Sequence, residues 1–195
     1  LYKCRLLPYL LTQISEIYPD LKIEILSMTE YQNRGEVFSA LGMEFDLFEG
    51  IYGSAGWNGM CQFLELERTP ICCAVSKNHR MAGIKKLTMQ DLNGEFVMMP
   101  IEGVSKEIDA FRHRIQRQYP AIQIVDSRRY DLDTFTLCEV NGYILITQPV
   151  YADIHSNLVS IPLDTDDTLP YGLMYANNPT AATQKFISAI KEISL

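Results

Sequence analysis

Gln118-Tyr119-Pro120-Ala121-Ile122-Gln123-Ile124-Val125 follows an amphipathic helical pattern. About a hundred residues earlier Ile17-Tyr18-Pro19-Asp20-Leu21-Lys22-Ile23-Glu24-Ile25 does the same. Each copy reads helix, then Tyr-Pro, then alternating apolar residues. Proline disfavours helix in the residue before it, so Pro19 and Pro120 stop their helices at matching places. The alternation after each has the period of a strand. Two similar helix-to-strand units predict two similar α/β lobes. Two such lobes in a small protein commonly hold a ligand in the cleft between them.

The rest of the chain extends that reading. Leu6, Leu7, Leu10, Leu11, Ile14, Ile17 and Tyr18 repeat at helical spacing, and a second helix is predicted from Glu30 to Leu41, ending at Gly42. Phe45 to Ile51 reads as a strand apolar on both faces and therefore interior to a sheet. Phe63–Leu66, Ile71–Val75, Phe96–Met99, Ile122–Val125, Ile144–Ile146, Leu158–Leu163 and Tyr171–Tyr175 follow as strands. Between them Thr88 caps a short helix with Asp91 in its first turn, Ser105 caps a long helix, and a helix over 133–141 ends at Gly142. A last helix covers Ala181 to Ile193. Alternating strands and helices predict two mainly parallel sheets of about five strands each. Such sheets bind ligands beyond the carboxyl ends of their strands.

Composition narrows the function. The 195 residues are 47% apolar and 21% charged, an ordinary globular balance. A net charge of −7 argues against this chain gripping nucleic acid by its own surface, since phosphate contacts need clustered Lys and Arg. The five cysteines are odd in number, two are adjacent, and none forms a CxxC. That predicts free thiols and a cytoplasmic setting, with Cys72, Cys73 and Cys138 buried and Cys4 and Cys61 more exposed. No apolar stretch approaches the ~18 residues of a membrane span, and no signal peptide is visible. The abrupt start, Leu1-Tyr2-Lys3-Cys4 running into a helix, predicts a piece of a longer protein. The histidines, His79, His113 and His155, lack metal-ligand spacing, and there is no GxSxG, P-loop or GxGxxG. No catalytic constellation, metal or cofactor is therefore expected.

Several short motifs, weak singly, combine in order. They are Leu7-Pro8-Tyr9-Leu10-Leu11, Tyr18-Pro19-Asp20-Leu21-Lys22-Ile23, Phe45-Asp46-Leu47, Lys77-Asn78-His79-Arg80-Met81-Ala82, Leu87-Thr88-Met89-Gln90-Asp91-Leu92, Val140-Asn141-Gly142, Ile146-Thr147-Gln148-Pro149 and Ile161-Pro162-Leu163. In this order and spacing the chain resembles the effector-binding domain of LysR-type transcriptional regulators. The resemblance implies an α/β fold of two Rossmann-like lobes with a central cleft, the type II periplasmic-binding-protein fold. It implies residues 1–66 plus 169–195 as lobe one and 67–168 as lobe two, with a hinge at Glu65-Leu66-Glu67 and Thr168-Leu169-Pro170. It further implies an upstream winged helix-turn-helix that would carry the DNA binding, and a small metabolite as effector. The alternative that shares the fold is an extracytoplasmic solute-binding protein of a transporter. Five unpaired cysteines, no signal sequence and the LysR-like motif order count against it.

In that architecture helix N-termini point into the cleft, where free N–H groups favour anionic or polar ligands. The expected ligand-binding residues are Tyr2, in the segment before the first helix, Thr29 and Glu30, the Gly103-Val104-Ser105 N-terminus, Asp131 and Thr134 at the start of a later helix, and Thr147 after a buried strand. Ser105, Thr29 and Asp131 read equally as plain helix caps. Tyr52 and Trp57, the only Trp, line the mouth or simply pack. Glu30, Glu49 and Asp131 make the site less suited to dianions and favour a ligand with an amine or hydroxyls. The resemblance also implies a small-molecule effector as partner and an antiparallel homodimer, with the helix Arg5–Tyr18 packed on the helix Ser105–Gln118 of its partner and a higher oligomer at full length. The leucine pairs of the first helix form a stripe wider than one sheet contact needs, which suggests the same.

Overall fold

The computed structural model describes residues 4–26, 31, 34–53, 57 and 59–193. It is a mixed α/β structure with five α-helices and two sheets among the described residues. The helices are α1 (Leu7–Ile17), α2 (Arg34–Ala40), α3 (Lys106–Gln118), α4 (Leu132–Asn141) and α5 (Ala181–Ile193). The strands are β1 (Leu47–Ile51), β2 (Gln62–Pro70), β3 (Cys72–Ser76), β4 (Phe96–Pro100), β5 (Gln123–Ser127), β6 (Ile144–Thr147), β7 (Leu158–Pro162) and β8 (Thr168–Tyr175). The chain divides into two compact units. One is Arg68–Leu169 with Leu1 and Gly53–Gly56; the other is Tyr2–Tyr52, Trp57–Glu67 and Pro170–Leu195. β2 and β8 each run across the division.

The five-stranded sheet has the order β5-β4-β6-β3-β7. β4 pairs in parallel with β5 and β6, whereas β3 runs antiparallel to β6 and β7. Val97, Met98, Met99, Ile144, Leu145 and Ile146 of its strands are buried, as are Ile108, Phe111 and Ile115 of α3 and Phe135 and Cys138 of α4. α3 displays those apolar residues at 3.6-residue spacing with charged residues between them, so it has one face to bury.

The other unit has a three-stranded sheet of order β1-β8-β2, with β1 antiparallel to β8. At Gly172 a Cβ would lie 2.0 Å from the Leu64 carbonyl oxygen, so only glycine admits this approach of β8 to β2. Leu10 and Ile14 of α1 pack with Phe186, Ile187 and Ile190 of α5 and Leu173 of β8. A second cluster joins Val37, Phe45, Phe48, Cys61 and Met174, flanked by Tyr31, Phe38, Tyr52, Trp57 and Phe63.

Several sequence expectations are corrected. Ile23 to Ile25 forms no strand: 21–26 is irregular, and Ile23, Ile25 and Leu26 are exposed, Ile25 to 78%. Alternation proposes a strand, but a neighbour must supply the ladder, and no described strand pairs here. The three-stranded sheet therefore falls short of five strands, and its β1–β8 pairing, like β3 with β6 and β7, is antiparallel rather than parallel. β1 lies at the edge of its sheet, not inside it. Both of its faces are covered all the same, Leu47 by the α1–α5 cluster and Phe48 by the cluster around Val37 and Phe45. The second helix is described over Arg34–Ala40, and its expected start at Glu30 lies outside the described residues. The leucine stripe of α1 is covered by the chain itself, since Leu6, Leu7 and Leu11 pack against the α5 cluster.

Candidate functional site

The two described helix starts singled out by the sequence, those of α3 and α4, are closed by the chain's own acceptors. At α3, Ser105 is extended, its Oγ accepts from the Ile108 N–H at 3.4 Å and donates to Glu107 Oε2 at 3.0 Å. The Lys106 N–H donates to the Gly53 carbonyl at 2.8 Å. A Cβ on Gly53 would meet Glu107 Oε2 at 2.4 Å and Ser105 Oγ at 2.9 Å, so the glycine lies directly on the helix start. Ser105 is buried. Gly103 is exposed, and its N–H donates to both carboxylate oxygens of Asp109 at 3.1 and 3.0 Å, while Val104 is half-buried.

At α4, Asp131 Oδ1 accepts from the Thr134 N–H and hydroxyl, both at 3.0 Å, and the same hydroxyl lies 3.0 Å from the Arg129 carbonyl. These are the bonds of a helix cap. Thr147 is fully buried, and its Oγ accepts from the Tyr130 hydroxyl at 2.6 Å. Burial holds the Tyr130 phenol well above its usual range, against the opposing effect of that hydrogen bond. Tyr130 packs edge-on to Phe135 and beside Tyr151, so Thr147 sits beneath an aromatic cover. Tyr2, Thr29 and Glu30 lie outside the described residues.

The start of α1 is different. Leu6, its N-cap, has no side chain able to accept, and Pro8 in the first turn has no N–H. The acceptor comes from a strand more than forty residues away. Glu49 of β1 is 1% exposed; its Oε1 accepts from the N–H groups of Arg5 at 2.7 Å and Leu6 at 2.8 Å, and its Oε2 from Leu7 at 2.8 Å. The Tyr171 hydroxyl donates to the same carboxylate at 2.5 Å. The Arg5 guanidinium lies 5.6 Å over the Tyr171 ring and pairs with Glu67. Four donors around a buried carboxylate at a positive helix end answer its desolvation. Glu49 drew notice in the sequence only as an acidic residue. The stronger signal is its position as the one charged residue of an otherwise apolar strand.

Trp57 packs edge-on to Phe38 and Tyr52, and Tyr52 stacks on Phe63 at 4.4 Å between centroids. All five cysteines are free; Cys4 is exposed, and Cys61 is buried rather than open. Burial pushes the Cys61 thiol up to about 11 and that of Cys138 to about 12, so neither carries much thiolate at neutral pH. Among the described residues no group of His, Cys, Asp and Glu could hold a metal ion. No described helix is long and apolar enough to cross a membrane.

Solved structures share this fold. The chain is similar to CbnR, a LysR family transcriptional regulator, at 14% identity and a TM-score of 0.70, over 98% of this chain and 66% of that one. It is similar to the effector binding domain of QuiR in complex with shikimate at 17% identity and a TM-score of 0.68, over 96% and 90%. It is also similar to the BenM effector binding domain with its effector benzoate at 18% identity and a TM-score of 0.62, over 97% and 86%. No protein-family model and no curated protein matches the sequence. The chain has the fold of the effector-binding domains of LysR-type regulators.

Proposed function

We propose that this chain is the effector-sensing domain of a LysR-type transcriptional regulator. It binds a small metabolite, and the bound form biases the DNA binding or transcriptional output of the full-length protein. The observation that carries this reading is the match of nearly the whole chain to domains of that class, two of them holding benzoate or shikimate. A thermal-shift screen of the chain against small metabolites, followed by footprinting of the full-length regulator with each stabilising compound, tests it. A compound recovered unchanged that alters the footprint is the expected result. Chemical turnover of the compound, or a footprint indifferent to every stabilising compound, would overturn the reading.

The same reading includes a two-fold homodimer in which α1 meets α3 of the partner. Its support is the outer face of α1, where Tyr9 and Ile17 are exposed although Leu10 and Ile14 are buried. Such an interface would bury on the order of 1,600 Å² in total. Sedimentation at tens of micromolar should give about twice the 22.3 kDa of the chain, and Tyr9→Glu with Ile17→Glu should restore the monomer. A monomer in the unaltered protein would remove the dimer from the proposal.

A further inference from the structure

We infer that Arg68 and Arg114 strap the segment leading into β8 to its own unit, and so confine hinge motion between the two units to the few residues that follow. The inference concerns the mechanics of the chain and stands apart from the sensing reading. β2 and β8 are the described strands that run across the division. It falls between Glu67 and Arg68 on β2 and between Leu169 and Pro170 on β8. The two strands are neighbours in one sheet and must bend together, so a hinge lies where neither is held.

On one side of the division the hold is made by backbone. Gly172 of β8 lies so close to the Leu64 carbonyl of β2 that no Cβ fits. On the other side it is made by side chains. Arg68 donates from Nε to the Thr168 hydroxyl at 2.8 Å and from Nη2 to the Thr168 carbonyl at 3.0 Å. That fork fixes both the side chain and the backbone of the first residue of β8. Arg114 of α3 grips the same segment further back. It donates to the Thr165 hydroxyl at 2.8 Å and pairs with the Asp167 carboxylate, to which the Thr165 hydroxyl also donates. The Arg114 guanidinium lies 5.3 Å over the ring of Phe111, a fully buried residue, so this grip is anchored in the core of the unit. Asp164 adds an N–H bond to the Leu87 carbonyl at 2.7 Å and an ion pair with Lys86 at 2.6 Å. Between the two holds lie Glu67 on β2 and Leu169 and Pro170 on β8, and Pro170 has no N–H to give the ladder. This assigns Thr168 to the strap and leaves those three residues as the hinge. A hinge this short turns a small displacement into a rotation about a fixed line rather than a diffuse bend.

Distances between spin labels test the inference. Nitroxides are placed at Asn93→Cys in one unit and Lys191→Cys in the other, both exposed positions, in a Cys4→Ser background. The four remaining cysteines are buried, and labelled protein is diluted in unlabelled chain. Arg68→Met with Arg114→Met should widen the distance distribution on the order of twofold, because the bend then spreads into 164–168. The urea midpoint should move little, since the Arg114–Asp167 side chains are 32% and 25% exposed and Arg68 is exposed. A folded variant with a distribution as narrow as that of the unaltered arginines would overturn the inference, and so would a lowered midpoint with unchanged width, the mark of a role in stability alone. Should the double variant not fold, Thr165→Val with Thr168→Val, which removes the hydroxyls that the two arginines hold, is read by the same two outcomes.

Discussion

The two helix–Tyr-Pro units end alike and begin differently. Tyr18 and Tyr119 stop α1 and α3 with φ, ψ of −128°, 71° and −133°, 58°, and each N–H returns to the carbonyl four residues back. The next turn repeats too: Leu21 donates to the Tyr18 carbonyl and Ile122 to the Tyr119 carbonyl, both at 3.0 Å. Beyond that the copies part. After Pro120 the chain becomes β5, laddered in parallel to β4; after Pro19 the described residues 21–26 stay irregular, with Ile25 exposed. At the other end, α3 is capped by its own Ser105, three residues from the N–H it serves, whereas α1 relies on Glu49, 42 to 44 residues away. Local chemistry repeats faithfully because it depends on a few neighbouring residues. What each copy does with its free backbone groups is decided by elements far off in sequence.

That contrast can be broken by mutation, and the largest effect should come from the distant cap. Glu49→Ala removes the buried acceptor shared by the Arg5, Leu6 and Leu7 N–H groups and the Tyr171 hydroxyl, and should lower stability by about 3–5 kcal/mol in urea unfolding. Ser105→Ala removes one local cap and should cost about 1 kcal/mol in the same measurement. Equal losses would mean that the two helix starts are held alike.

A smaller effect sharpens the electrostatics. Although Cys4 is exposed as a residue, its thiol is raised by partial desolvation and, secondarily, by the Glu49 charge. Glu49→Gln removes that charge, lowers the thiol pKa, and should speed iodoacetamide alkylation of Cys4 at pH 8 on the order of twofold. An unchanged rate would place Glu49's charge out of reach of Cys4. In the unaltered native protein Cys4 should react first, and all five thiols only after unfolding. The smallest effect belongs to the unpaired segment: Ile25→Asp should change stability by no more than about 0.5 kcal/mol, as for other exposed side chains. A loss several times larger would reveal burial of this segment in the folded domain.

Much of this was legible in the sequence, for identifiable reasons. Ser105, Asp131 and Thr88 announce caps by type and spacing, and all three make those bonds; Thr88 and Asp91 bond reciprocally, which lowers the Asp91 carboxyl. The α5 boundaries and the α4 stop at Gly142, left-handed at φ 67°, follow from periodicity and glycine alone. The strand order, the edge position of β1 and the antiparallel β1–β8 pairing were hidden, because pairing depends on contacts 120 residues apart. The candidate site was legible only in part. Thr147 looks available in the sequence, and nothing local to it reveals that Tyr130 covers it. Glu49 was visible as an acid but not as a cap, since its partners are backbone N–H groups that every residue carries.

Hydrogen exchange at the Arg5, Leu6 and Leu7 amides tests the central physical claim most directly. Amides at a helix start normally have no intrahelical partner and exchange freely. Held by a buried carboxylate, these three should be slowed on the order of a hundredfold in the unaltered protein, and should lose most of that protection in Glu49→Gln. Exchange at open-chain rates in the unaltered protein would contradict the claim that Glu49 closes this helix end.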